Sequence, residues 1–596
     1  MSAARREPRR LVSLLVVALA SLLPTRAFAL DYYVDGVSGD DARDGRSAAN
    51  AWRTIDHLES AATLRAGDNV YLRAGSDFDL SALGDAGLRL RTSESGTAAM
   101  PITITRYGTG AAPILRNPTG TTDRRMISIE GSYVVIDGLE LSNAHYAGIY
   151  IDGSLGHVTV RHCDIHHVGV GVVAFAPNLL ITRNVFHDGT MVVNTMGGDD
   201  DYGANGIVLS GSNIEISYNR AERLVAPSYD FTVDGGFVEL YDTTSDVSIH
   251  HNVVLDSEGF TEGGSGSGET IARVSVAYNL AIDNNGFFAL HNGGDGFAAD
   301  FVDCSFTNNT IVETSSTTIF WFSSAATAAA FTFRNNVIAS TAGRIFQRPG
   351  TLVHTHNVFP AGVTLGLTAD STDLVADPLF VNAAMRDMHL RAGSPAIDVG
   401  TTARFTTDLD GVPVPSGGGV DRGAYERAAA GLDAGVSMPD ASVRADASVS
   451  RDAGVDAFAV IDAFTGIDAF TGIDASTGDD AFVLVIDEDA ASVEGDGSVT
   501  VGDASVSVGD DAALPGVDAA ASVIDGGARD AASTSDVGAR TPDAGPITMS
   551  NGCSCRAGSR STPSSLAWIL AIACATWVQR RRRSRALCRS RGASTT

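Results

Sequence analysis

Eight segments of this chain end alike: "VTVRHCDI", "LLITRNVF", "IEISYNRA", "VSIHHNVV", "VSVAYNLA", "CSFTNNTI", "FTFRNNVI" and "VHTHNVF". Each runs an alternating apolar strand into an Asn, or into a Cys in the first. The anchors are Cys163, Asn184, Asn219, Asn252, Asn279, Asn309, Asn336 and Asn357, separated by 21, 35, 33, 27, 30, 27 and 21 residues. Three positions before the first seven anchors stand Val160, Ile181, Ile216, Ile249, Val276, Phe306 and Phe333. Five before stand Val158, Leu179, Ile214, Val247, Val274, Cys304 and Phe331. A period of two puts both sets on one face of a short strand. Two positions after the anchor the apolar column resumes as Ile165, Phe186, Ala221, Val254, Ala281, Ile311 and Ile338. A tight turn must lie between, and Asn suits one because it tolerates left-handed backbone better than most residues. Coils that each bury one apolar column make a continuous core only by stacking. An antiparallel sandwich gives no reason for like residues at one phase of every repeat. The chain therefore reads as an all-β parallel solenoid.

The repeat does not fill the 596 residues. Residues 1–29 carry a basic flank, an apolar run from Leu11 to Leu23 and "AFA" ending at Ala29, the pattern of a cleaved secretory signal. Residues 427–549 are rich in Ala, Asp, Ser, Val and Gly, with near-repeats such as "GIDAFTGIDASTG" and no amphipathic period. That composition predicts an extended, disordered acidic stalk. In 550–596, Cys553 and Cys555 precede an apolar stretch from Leu566 to Val578 and an arginine block from Arg580. Thirteen residues rise only about 20 Å as a helix, short for a bilayer core of roughly 30 Å. A weak or temporary span with its arginines on the cytoplasmic side is the expectation. A net charge of −29 argues against nucleic acid as a partner.

The repeats in 30–426 resemble the right-handed parallel β-helix, a family in which asparagine ladders recur. "YYVDGVSGDDARDGRSAANAWRTIDHLESAATLRAGDNVYLRAG", "PITITRYGTGAAPILRN" and "YVVIDGLELSNA" look like the first coils of secreted β-helix proteins related to pectate and other polysaccharide lyases. "DPLFVNAAMRDMHLRAGSPAIDVG" with "DLDGVPVPSGGGVDRGAYE" is similar to their closing module. The resemblance implies a short N-terminal capping helix within "WRTIDHLESAATL" and a C-terminal cap, with Asp408, Asp410, Asp421 and Glu426 mostly in turns. "DLDG" lacks the full ligand spacing of a calcium loop. The tail resembles myxobacterial surface-sorting signals, which implies envelope sorting machinery as a partner, processing near Cys553 or Cys555, and display at the cell surface or outer membrane. The protein is expected to be monomeric. Cys163 and Cys304 fall five anchors apart, roughly 20 Å or more at a coil spacing of ~4.8 Å. Two free thiols are expected.

Chemistry is harder to place. Lyases of the family resembled use Lys, or Arg in some branches, to remove a proton, and this chain has no lysine. An arginine base needs an unusual setting because its free pKa is so high. Arg220, Arg223 and Arg273, on or beside the central coils, are the candidates, although solvent-facing arginines on a rigid repeat are the simpler reading. The least scaffold-like stretch is "VDGGFVELYDTTSDVSIHHN". With Gly148, Gly171, Gly206 and Gly236 taken as equivalent strand starts, Glu239 falls in a column otherwise made of Ile151, Ala174 and Leu209. A carboxyl facing the core there is costly unless the coil bulges or a partner satisfies it.

Asp199, Asp200, Asp201, Asp230, Asp234, Asp242, Glu258 and Glu262 crowd the same long coils. Asp199, Asp200, Asp201, Asp234 and Asp242 form a candidate Ca2+ set. Glu239 with Asp234 forms a candidate catalytic pair, either neutralising a uronate or acting as acid and base in glycosidic hydrolysis. His250, Tyr241 and Trp321 are candidate substrate contacts, with Phe287 and Phe288 as further sugar platforms. His162, His251 and His356, each before an anchor, suit an exposed stack. The expected function is recognition or processing of extracellular polysaccharide at the cell surface. Binding, or a degenerate enzyme, is preferred over an active lyase because no complete catalytic constellation is visible. A structural or adhesive surface protein is the alternative class.

Overall fold

A computed structural model describes residues 29–427, apart from 119–122, 153–155, 199, 267, 294–296, 316 and 342. The signal peptide before Ala29, the stalk, the sorting tail with Cys553 and Cys555, and Asp199 lie outside the described residues. Among the described residues, no helix is long and apolar enough to cross a membrane.

The repeat winds into a right-handed parallel β-helix with three strand runs per coil. The first sheet stacks the strands before the anchors, such as Leu179–Thr182, Ser212–Ser217 and Thr244–His250. The second begins just after the anchors, with Val185–His187, Arg220–Glu222 and Val253–Leu255. The third carries Asn205–Ser210, Gly236–Leu240, Thr261–Gly264 and Phe288–His291. The long strands Glu140–Ile151 and Asp164–Phe175 run through both of the latter. Every pairing between successive coils is parallel and holds the phase of the repeat: Ile181, Ile216, Ile249 and Val276 are register partners, all fully buried.

The anchors form a ladder inside the turn. Asn219 Nδ2 donates to Ile181 O (2.9 Å) and Asn252 Oδ1 (3.0 Å), and Asn252 Oδ1 also accepts from the Asn219 amide at 2.9 Å. The same bonds repeat through Asn279, Asn309, Asn336 and Asn357, where Asp373 closes the series. Left-handed backbone falls one residue earlier than the sequence suggested. His162, Arg183, Tyr218, His251, Tyr278, Asn308, Asn335 and His356 carry φ of 53–57°, and the anchors do not. Asn is needed at the anchor for its carboxamide, which matches a donor and an acceptor to the coils on either side.

Helix Ile55–Ala61 caps the N-terminal end. Thr54 Oγ1 accepts from the His57 amide at 3.1 Å, while Ile55 and Leu58 join the core. The closing segment differs from expectation. Instead of only covering the last coil, residues 377–427 fold back along the flank of the second sheet. Met388, Leu409, Ala424 and Tyr425 cover the outward-facing Val253, Leu255, Leu280, Ile282 and Val312. Asp408, Asp421 and Glu426 work as turn carboxylates: Asp408 accepts from the amides of Asp410, Val412 and Glu426. Cys163 and Cys304 are buried free thiols, and burial pushes both up to about 12.

Candidate functional site: a carboxylate groove on the third sheet

The two longest coils each throw out a hairpin between the second and third sheets. Met191–Val193 pairs with Tyr202–Gly203, and Ala226–Ser228 with Thr232–Asp234. Asp201 ties them together, accepting from the amides of Thr195 (2.6 Å), Tyr229 (2.8 Å) and Asp230 (3.1 Å) and from Ser228 Oγ (2.8 Å). Asp234 ends the second hairpin. Gly235 and Gly236 follow with φ of 140° and 150°, a conformation that L side chains rarely adopt, and turn the chain into strand Gly236–Leu240.

That entry corrects the phase assigned to Glu239. Gly236 pairs with Asn205 rather than Gly206, so Leu240 joins Leu209 and Ala174 in the core column. Glu239 pairs with Val208 on the outward face. Along the axis that outward column reads Tyr150, Val173, Val208, Glu239, Glu262, Ala289, Trp321 and Gln347. Glu239 and Glu262 are thus stacked one strand spacing apart, about 4.8 Å. Between Glu262 and Trp321 the column carries the small Ala289.

Around this pair the outward face of the third sheet is acidic. Glu262 Oε1 contacts His291 Nε2 at 2.6 Å, and the His291 ring lies 5.1 Å from Trp321 and 5.3 Å from Phe297. Glu258 Oε1 accepts from Asn285 Nδ2 at 2.7 Å. Glu239 is half-buried by surface, yet desolvation, reinforced by the charges of Glu262 and Asp234, holds its carboxyl well above the ordinary range. Desolvation and Glu262 push Asp234 up to about 7, and desolvation does the same to Glu258. The charge of Glu239 is the largest influence raising the Tyr241 phenol. Several carboxyls share too little solvent to ionise together, the condition under which one keeps a proton at neutral pH.

Tyr241 and Trp321 share the outward face with Glu239; other candidates do not. His250 is buried under Phe405 of the closing segment (ring centroids 4.4 Å) and faces Glu215 at 3.4 Å. His251 stacks on Tyr218 and Tyr278 as its position suggested, but it is buried rather than exposed, and its Nε2 meets Thr407 O at 3.1 Å. Phe287 and Phe288 are core residues. Arg220 lies on the second sheet, paired with Glu222. Arg223 is held by Asp188 and Arg273 by Asp246, and these ion pairs raise both guanidinium pKa values, the wrong direction for a base. Asp200, Asp201 and Asp230 bring carboxylate oxygens within 4.8 Å of one another. Asp201 already accepts four donors, Asp230 accepts from the Asp200 amide, and Asp242 sits apart against Ser265 and Glu269. Asp199, the remaining member of the candidate Ca2+ set on this coil, lies outside the described residues.

His291, Asn285 and Phe297 escaped the sequence reading, and Glu262 was noted without a role. A signal for Glu262 was present: "GFVEL", "GFTEG" and "GFFAL" begin at Gly236, Gly259 and Gly286, which aligns Glu239 with Glu262 and Ala289.

Residues 122–287 match the family model described as "Right handed beta helix region". No curated protein matches the chain by sequence. Similar solved structures include a pectate lyase, 17% identical, covering 67% of this chain and 97% of its own with a TM-score of 0.46. A rhamnogalacturonan lyase is 14% identical and covers 63% and 97%, with a TM-score of 0.44. A lacto-N-biosidase from Eubacterium ramulus is 16% identical and covers 58% and 67%, with a TM-score of 0.42. At this distance the likeness concerns architecture and leaves the chemistry to the site itself.

Proposed function

We propose that the protein is exported to the cell surface and hydrolyses a glycosidic bond of an extracellular polysaccharide in the groove of the third sheet. The observation that carries this reading is the register pairing of Glu239 with Glu262. A strand spacing of about 4.8 Å is close to the ~5–5.5 Å between the carboxyl groups of retaining glycosidases. Glu239, kept protonated by desolvation and its acidic neighbours, is the proton donor to the leaving oxygen. Glu262, oriented by His291, is the nucleophile. Trp321, two coils further along the column, offers a face for a sugar ring.

A proton-abstracting lyase fits less well, because the chain lacks lysine and its candidate arginines are locked in ion pairs away from this face. A uronate carboxylate would add one more negative charge to carboxyls that already raise one another's pKa, so the groove favours a neutral or amino-sugar glycan. The test is incubation of the full chain with neutral, amino-sugar and uronate polymers. New reducing ends are expected from the first two classes, without the absorbance of unsaturated uronate. Binding without cleavage would make the protein a lectin-like receptor. Neither binding nor cleavage by folded protein would favour the adhesive class.

A further inference from the structure

On the second sheet, away from the carboxylate groove, one pairing occurs twice. His166 Nε2 faces Glu140 Oε1 at 3.3 Å, and His187 Nε2 faces Asp164 Oδ1 at 3.0 Å. In each case the carboxylate lies one coil back and two residues earlier in register, since Glu140 pairs with Asp164 and His166 with His187. The two imidazoles stack at 4.6 Å with their planes 9° apart. Their Nε2 atoms therefore point the same way, toward two neighbouring carboxylates. Ligand atoms of Asp164, His166 and His187 all lie within 4.8 Å of one another.

The remaining ring nitrogens are already engaged. His187 Nδ1 contacts Asp188 Oδ2 at 2.7 Å, and Asp188 is clamped by Arg223 Nε (2.7 Å) and Nη2 (3.0 Å). His166 Nδ1 meets His167 Nδ1 at 2.6 Å and Ser142 Oγ at 3.3 Å. Outer partners of this kind fix imidazole orientation in metal centres and leave Nε2 for the ion.

We propose that His166, His187 and Asp164 bind a divalent first-row transition metal ion of the zinc type, with water in the remaining position. Two imidazoles and a carboxylate make a donor set that suits zinc better than calcium or magnesium. Each ligand nitrogen must be free of its proton to take the ion, so binding is expected to weaken as pH falls. All three side chains project from rigid strands of adjoining coils, so little ordering is needed.

The test is titration of the full chain with Zn2+ in excess Mg2+, followed by calorimetry, and with Co2+, followed by visible absorption. One equivalent of Zn2+ and the d–d bands of a low-coordinate Co2+ centre are expected. His166→Ala and His187→Gln should each lose that equivalent while keeping β-helix circular dichroism. Asp188→Asn, which removes only the outer partner, should weaken binding by about 10–100-fold. Glu239→Gln should bind zinc unchanged, which separates this site from the glycan groove. Failure of the full chain to bind Zn2+, or unchanged affinity in both folded histidine variants, would overturn the proposal.

Discussion

Glu239 and Glu262 occupy one register position on adjacent parallel strands, both facing outward, with only Glu262 in contact with His291. If this pair is catalytic, the two positions are unequal. Glu239→Gln removes the donor proton and is expected to lower kcat by about 10²–10⁴-fold on glycans with poor leaving groups. Glu262→Gln should abolish turnover of all substrates, and product analysis by NMR should show retention at the anomeric carbon. Arg273→Ala, remote from the groove, should leave kcat within about twofold, since it removes only an exposed ion pair. Chelators and added Ca2+ should change nothing, because the acidic clasp around Asp201 is committed to backbone donors.

The same crowding sets a pH dependence of stability. In an unfolded chain carboxyls ionise near pH 4, whereas Asp234 and Glu258 hold their protons up to about 7 in the fold. The native state binds more protons across that window, so stability falls as pH rises from about 4 through about 7. Asp408 and Glu426, both pushed up to about 7 by burial, add to the slope. Asp234→Asn should raise Tm at pH 8 and leave it nearly unchanged at pH 4.5, narrowing the difference in scanning calorimetry. A variant equally destabilised at both pH values would mean that Asp234 is structural.

The ladder makes a larger claim on stability. Asn252 Nδ2 donates to Ile216 O and His250 O, and its Oδ1 serves the Asn219 amide. Asn252→Ala strands buried groups on two coils at ~1–3 kcal/mol each, so a loss of about 3–5 kcal/mol in urea unfolding is expected. Asn252→Asp keeps the acceptor and should cost less at acid pH, where the protonated acid can still donate once.

Much of this arrangement was legible because every coil repeats the same physical problem. Ile216, Ile249 and Val276 each needed a buried neighbour at the same phase, and periodicity found them. Glu239 was misphased because Gly235 and Gly236 re-enter the sheet through a conformation that sequence spacing does not reveal. The docked closing segment also had a signature. "NVVLD" and "NLAID" place apolar residues on both faces of a strand, as strands covered on two sides do. His250 and His251 gave no such sign, since Phe405 reaches them from more than 150 residues away in sequence. His166 and His187, one coil apart, lie 21 residues apart in a chain whose coils vary from 21 to 35, so their alignment depends on the register of that coil.

The closing segment supplies the last prediction. His389 lies between Asp387 and Asp410, with nitrogen–oxygen distances of 2.6 Å to each, and its ring is 4.2 Å from Tyr425. The Asp410 contact, followed by that of Asp387, lifts the imidazole to about 9. A folded pKa above the unfolded value of about 6.5 gives stability that is complete below 6.5 and lost as pH rises through 9. The buried carboxyls of this segment, Asp421 at about 6 and Asp408 and Glu426 at about 7, complete their ionisation by about pH 8. Loosening between pH 8 and 9 therefore belongs to His389. Hydrogen-exchange protection factors at Val253, Leu255 and Leu280, which the segment covers, should fall over that range while the ladder coils keep theirs. His389→Asn should have lower protection factors at pH 8 and lose little further protection up to pH 9. An unchanged alkaline response in that variant would mean that His389 does not hold the segment down.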